Sequence, residues 1–303
     1  RVPSAGRTRL ATVLLICLAA IWGSTFFLIR DLVVHVPPLD FLAVRFSISA
    51  VIMVILFWRP LRSLTRRQVG IGIGLGTVYA LAQIFQTQGL ATTPASVSGF
   101  ITGTYVVLTP IFTALILRER VPGSTWFAVT LATVGLAFLA LNGFSIGVGE
   151  SITLLAAAFY ALHIIGLGRF STQEAATGLA VVQMIVLAVI CGIGAAPSGI
   201  ILPSTPGQWA SLLYMVVFAS IGALWIQTWA QAHLPATRAA IILTLEPVFA
   251  AFFAVALGGE AATARMVFGG ALVITAMYAV ELLGRRQPGE RPAEVLHHES
   301  PPA

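Results

Sequence analysis

Lysine is missing altogether. All seventeen basic residues of the 303-residue chain are Arg, which excludes a Walker A phosphate loop and a lysine Schiff base, so direct ATP hydrolysis by this chain is not expected. Charge of either sign is scarce, at 9% of residues. Aspartate occurs only at Asp31 and Asp40, both at the edge of an apolar run, and no H-E-x-x-H is present; the parts of an intramembrane hydrolase are therefore lacking. Cys17 and Cys191 each lie inside an apolar run, which gives neither a disulfide framework nor a thiolate metal site and leaves them to packing. What fills the chain is apolar: 58% of residues, with a mean hydropathy of +0.94. No soluble domain of this length has so little polar material to cover its surface. The sequence is that of an integral membrane protein, and the lipid bilayer is its first partner.

A bilayer core takes about 20 apolar residues per helix. Ten segments meet that, at 10–29, 39–57, 69–91, 96–117, 124–142, 151–168, 176–196, 209–230, 237–257 and 265–283, and their short connections leave no room for a soluble domain. The first span has no cleavage-type site after it and reads as a helix, not a signal peptide. The formal charge of +6 sits in short Arg clusters between spans, which is how topology signals are placed, so no nucleic-acid partner is expected. With the N-terminus inside, fourteen Arg fall on cytoplasmic segments, Arg30 and Arg265 fall outside, and Arg45 lies within a span. The expectation is a segment at 1–9 and a tail at 284–303, both cytoplasmic. The tail is polar and Pro-rich enough to be disordered. His297 and His298 within it form a lone pair, too little for a metal site.

The chain repeats itself. "QTQGLATTPA" at 86–95 aligns with "QTWAQAHLPA" at 227–236 at an offset of 141, and the same offset carries Glu119 onto Glu260. An offset of 138 lays "AIWGST" at 20–25 on "AFYALH" at 158–163. The reading is an all-α polytopic protein of two five-helix units, 10–142 and 151–283. Five is odd, so the second copy enters the membrane with opposite orientation, and such inverted repeats place one binding site near the midplane between two gates.

"AAIWGSTFFLIRDL", "LDFLAVRFSISA", "GFITGTYVVLTPIFTALILRERV" and "LTLEPVFAAFFAVALGGE" together resemble the drug/metabolite transporter superfamily in its ten-helix EamA-type branch. The resemblance runs over residues 10–283. It implies export of amino acids or related small metabolites across a bacterial inner membrane, with the YddG-like exporters of aromatic amino acids as one possibility, and no cofactor. One departure stands out: Pro110 and Pro247 fall one helical turn apart under the 141 offset, which predicts bends at different depths in the two copies.

Polar side chains within spans point away from lipid, since a charge near the bilayer centre costs from about 2.5 kcal/mol upward. Under the offsets they form matched pairs: Trp22 with Tyr160, Thr25 with His163, Arg45 with Gln183, Gln86 with Gln227, and Tyr105 with Glu246. Tyr79, Gln83 and Gln86 follow helical spacing, as do Thr102, Tyr105 and Thr109, so each set makes one stripe. These residues are the candidate substrate site, with the aromatic faces of Trp225 and Trp229 alongside. The Gln and Thr groups serve equally well as interhelical hydrogen bonds. Arg45 lies about 9 Å from one edge of its span and Glu246 about 14 Å from the opposite edge, at 1.5 Å per residue. In a core of about 30 Å their heights differ by some 5 to 7 Å. Arg45 then suits a substrate carboxylate and Glu246 an ammonium, or the two pair directly. His163 and Glu246 are the candidates for carrying protons; a purely facilitative carrier fits as well, and a channel-like pore is the rival reading. Trp58, Trp126 and Trp209, at span ends, suit interfacial anchors. "GIGIGLG" at 70–76 has no strand before it and reads as a small-xxx-small helix contact, not a dinucleotide loop. Oligomeric state is not legible, and a monomer suffices for the site.

Overall fold

A computed structural model describes residues 5–117, 123–142, 145–170, 172, 174–223, 226 and 242–283. They form α1 (Ala5–Val33), α2 (Pro38–Leu56), α3 (Trp58–Arg62), α4 (Arg66–Leu90), α5 (Ala95–Gly103), α6 (Tyr105–Leu117), α7 (Gly123–Ala140), α8 (Val148–Phe170), α9 (Ala176–Ala195), α10 (Pro206–Tyr214), α11 (Glu246–Ala256) and α12 (Ala264–Leu283). α10 runs on as a π-helical segment, Met215–Gly222. Among the described residues the architecture is helical but for a short antiparallel ribbon between α7 and α8, which pairs Leu141 with Ile146 and Asn142 with Ser145.

Among the described residues, six helical stretches are long and apolar enough to cross a bilayer: Arg9–Val33, Pro38–Leu56, Arg66–Leu90, Ala95–Ile116, Val148–Leu167 and Ala176–Ala195. Trp126–Leu139, Glu246–Ala256 and Ala264–Ala279 are shorter apolar helices. The expected spans at 209–230 and 237–257 are described only in part, and the tail at 284–303 lies outside the described residues.

Local chemistry sets where these helices begin. Thr65 accepts from the Gln68 amide at 3.2 Å while Gln68 Oε1 accepts from the Thr65 amide at 2.8 Å, a reciprocal capping box that starts α4. Thr205 and Gln208 repeat the box at the start of α10. In a bilayer, helices associate through close packing and not through apolar transfer, so small residues matter at the contacts. A Cβ on Gly72 would lie 2.8 Å from Val182 Cγ1, and one on Gly76 would lie 2.9 Å from Val186 Cβ. α4 and α9 thus approach through the small-xxx-small stripe that the sequence suggests.

Among the described residues, several helix pairings have a counterpart when residues 10–142 are exchanged for 151–283, although α4 lies on α8 much more extensively than the π segment lies on α1. α1 packs on α11 as α8 packs on α5 and α6; α4 packs on α9 as α2 packs on the π segment. The pairs α2 with α9, α5 with α11, and α7 with α12 map onto themselves. The main core gathers Phe26, Phe41, Phe46, Met53 and Leu187 between α1, α2 and α9, and a second cluster gathers Phe100, Val273 and Met277 between α5 and α12. Cys191 is buried in the main core, whereas Cys17 is exposed on α1 and does not pack.

Candidate functional site

The interior is organised by two broken helices. The segment read as one span at 96–117 turns at Thr104, whose amide bonds Ile101 O at 3.1 Å, and Leu108 N then bonds Thr104 O at 2.9 Å. At the offset of 141 the same pattern recurs: Leu245 N bonds Ile242 O at 3.1 Å, and Phe249 N bonds Leu245 O at 3.0 Å. Two i→i+3 turns therefore interrupt equivalent helices at equivalent residues, a correction to the expectation that the staggered prolines would bend them at different depths. Pro247 has no amide proton to contribute and sits in the first turn of α11, where that loss costs nothing. Tyr105 is the first residue of α6 and Glu246 the first of α11. The two breaks meet closely, since a Cβ on Gly103 would lie 2.8 Å from Pro247 Cγ and one on Gly99 would lie 2.6 Å from Ala250 Cβ.

Beside the breaks lies a continuous polar and aromatic network. Gln83 Nε2 donates to Tyr79 Oη at 3.2 Å, and the Tyr79 ring stacks on His163 with centroids 4.7 Å apart and planes at 11°. His163 Nε2 meets Gln183 Oε1 at 2.6 Å, and Gln183 Nε2 donates to Leu179 O at 3.2 Å. Tyr160 presents its edge to Tyr79 at 6.0 Å and lies 6.3 Å from Tyr105. Its hydroxyl donates to Gln86 Oε1 at 2.6 Å, and Gln86 Nε2 reaches Thr102 Oγ1 at 3.4 Å. Gln83, Gln86, Thr102, His163 and Gln183 are buried. Tyr79, Tyr105 and Tyr160 are half-buried. Eight of the sequence-derived candidates, drawn from α4, α5, α6, α8 and α9, thus form one connected wall.

Arg45 and Glu246 form no ion pair with each other. Arg45 is 5% exposed, donates through Nε to Ser220 Oγ at 3.2 Å, and lies 5.2 Å from the centroid of the Phe46 ring. Glu246 is half-buried at the N-terminus of α11. Among the described residues its carboxylate has no hydrogen bond, and Arg30–Glu260 is the one ion pair. Direct pairing of Arg45 with Glu246 is therefore not what this structure contains. Tyr79 and Tyr160 lie within electrostatic reach of both charges, and Tyr105 within reach of Glu246.

Trp22 and Thr25 do not join the network. Thr25 Oγ1 returns to Trp22 O at 2.7 Å, and Trp22 Nε1 donates to Ala219 O at 3.2 Å. Gln227, Trp225 and Trp229 lie outside the described residues. Among the described residues no three His, Cys, Asp or Glu side chains gather as metal ligands.

A model of the EamA-like transporter family matches residues 9–141 and again 147–282. The chain belongs to the EamA-like transporter family. It is a membrane transporter, not an enzyme. This EamA-like transporter is 33% identical over 265 residues to an uncharacterized transporter of Archaeoglobus fulgidus, which covers 87% of the chain and 83% of the relative. It is 25% identical over 259 residues to the pseudopaline exporter of Pseudomonas aeruginosa, covering 84% of the chain and 89% of that protein. A crystal structure superposes with a TM-score of 0.62 over 92% of this chain and 98% of the other at 20% identity, a likeness of fold.

Sequence reasoning missed the π segment of this transporter. A π-helix closes i→i+5 rings and leaves carbonyls free for other donors, and Met215–Gly222 presents Ala219 O to Trp22 and Ser220 Oγ to Arg45. Under the 141 offset Ser220 falls opposite Tyr79. One unit therefore carries a tyrosine ring where the other carries the hydroxyl that accepts from Arg45.

Proposed function

We propose that this protein is a secondary transporter that exports small zwitterionic metabolites, amino acids among them, by alternating access around the space between Arg45 and Glu246. The observation that carries the reading is the separation of those two charges: Arg45 is buried and Glu246 half-buried, they form no ion pair, and the half-buried Tyr79 and Tyr160 lie within electrostatic reach of both. A buried charge without a partner is costly, so a pair of opposite charges held apart is a receptor for a ligand that brings both complements. Arg45 takes the carboxylate, Glu246 the ammonium, and Tyr79, Tyr105 and Tyr160 the apolar part. The helix N-terminus behind Glu246 tempers the cost of its charge when the site is empty. The relative that exports pseudopaline supports a metabolite and not an inorganic ion as cargo.

The units 10–142 and 151–283 act as inverted repeats, with both termini on the cytoplasmic side of the inner membrane and the pathway at their interface. The helix pairs that map onto one another and the matched breaks at Thr104 and Leu245 support this. Between the two proton-carrying candidates, Glu246 is favoured, because the His163 ring is already held by Gln183 and Tyr79. A single copy of the chain suffices for this site. The test is a competition panel on purified protein in liposomes: amino acids should compete, and blocking either end as an N-acetyl or an amide derivative should lower apparent affinity at least tenfold. Equal competition by blocked and free forms would refute the two-charge site.

A further inference from the structure

The turn that joins α2 to α4 carries four cations, Arg59, Arg62, Arg66 and Arg67. Both flanking helices are long and apolar enough to cross a bilayer, so this turn lies where two spans leave the hydrocarbon. All four Arg are exposed, as is Trp58. The guanidinium carbons of Arg59 and Arg62 lie 5.8 and 5.6 Å from the centroid of the same Trp58 ring. Two like charges thus share one indole, each drawn to the ring and repelled by the other.

The backbone beneath them is packed. Leu61 lies against the main core, and α3 lies on α9, where a Cβ on Gly178 would fall 2.6 Å from Pro60 O and 2.9 Å from Leu64 Cδ2. The Thr65 and Gln68 box then fixes the start of α4. No protein anion balances the group: among the described residues the one ion pair is Arg30 with Glu260, so Glu174, just before α9, pairs with none of the four. The first turn of α4 contains Arg66 and Arg67 and no acid, and cations are disfavoured at that end of a helix. An anion from outside the chain meets this deficit. A phosphodiester offers the oxygen pair that suits guanidinium donors, and phospholipids place it at the depth where Trp side chains collect.

We infer that Trp58, Arg59, Arg62, Arg66 and Arg67 form a site for the headgroup of an anionic phospholipid, its phosphate bridging Arg59 and Arg62 beside the indole. Arg66 and Arg67 add attraction to the negative lipid surface, as clustered basic residues beside a span do. The site is separate from the interior around Arg45 and Glu246 and holds whatever the cargo is. Native mass spectrometry of the purified full chain, titrated in detergent with phosphatidylglycerol or with phosphatidylcholine of the same acyl chains, measures retained lipid. Phosphatidylglycerol should be retained about tenfold more than phosphatidylcholine, and in Arg59→Gln/Arg62→Gln the excess should vanish while the melting temperature in detergent stays at the wild-type value. Equal retention of the two lipids by the wild type overturns the site, as does an excess that survives in the folded double variant. If the double variant fails to fold, Arg59→Gln and Arg62→Gln decide singly, each expected to lower retention of phosphatidylglycerol about fivefold; unchanged retention in both overturns the site. Inorganic phosphate added in excess should leave bound phosphatidylglycerol in place, and its displacement would make this a site for free anions and overturn the lipid assignment.

Discussion

Glu246→Gln separates a functional acid from a structural one. The carboxylate has no ion pair or hydrogen bond to lose among the described residues. The substitution removes one favourable interaction, that of a negative charge with the first turn of α11, of about 0.3 to 1 kcal/mol. It also removes a charge from an apolar surrounding, where the cost starts at about 2.5 kcal/mol. The difference favours the variant by roughly 1.5 to 2 kcal/mol. The purified Glu246→Gln protein should therefore melt at or above the wild-type temperature in detergent. Its exchange of amino acid across liposomes should nevertheless fall at least tenfold, because the group that takes the ammonium or proton has lost its charge. A variant that melts lower, with transport falling in proportion to folded protein, would mark Glu246 as a structural acid. Unchanged transport would remove it from the site.

Three further outcomes follow from the geometry. Tyr160→Phe deletes the 2.6 Å bond to Gln86; interhelical bonds in membranes average about 0.6 kcal/mol, so stability should change by less than about 1 kcal/mol while the apparent substrate affinity weakens several-fold. A stability loss without an affinity change would make the bond a bundle tie only. Arg45→Lys keeps the charge but loses the Nε donor to Ser220 and the planar fork that suits a carboxylate, and the concentration for half-maximal exchange should rise at least tenfold; wild-type behaviour would show that Arg45 does not meet the carboxylate. Gly76→Ala places a methyl 2.9 Å from Val186 Cβ and 3.0 Å from Gln183 Cα, and overpacking at such a contact costs about 1 to 3 kcal/mol. Its melting temperature should drop, and an unchanged value would mean that α4 and α9 part more easily than their approach implies.

Much of the interior was legible because the bilayer makes polarity informative. Where lipid excludes polar groups, Tyr79, Gln83, Gln86 and Thr102 declare themselves by standing inside apolar runs, and helical spacing puts them on one face. Their contact with Tyr160, His163 and Gln183 was not legible, since the matched pairs tie those three to Trp22, Thr25 and Arg45, and Trp22 and Thr25 bond elsewhere. The breaks at Thr104 and Leu245 were hidden, since an i→i+3 turn inside an apolar run changes neither hydropathy nor spacing, and proline position pointed the wrong way. Ser220 was hidden for a related reason: one serine in an apolar span has no partner in sequence, and only the π register aims it at Arg45. The T-x-x-Q boxes at Thr65 and Thr205 were visible in the sequence and start α4 and α10. Glu260 was visible as the acid closing a span, but its hold on Ser96, 164 residues away, belongs to the fold.

Counterflow in proteoliposomes tests the central claim most directly. Liposomes loaded with unlabelled amino acid should accumulate labelled amino acid transiently, with an initial rate that saturates with external concentration and that is lost in Glu246→Gln. A flux that rises linearly with concentration and gains nothing from loading would describe an open pore and contradict alternating access around Arg45 and Glu246.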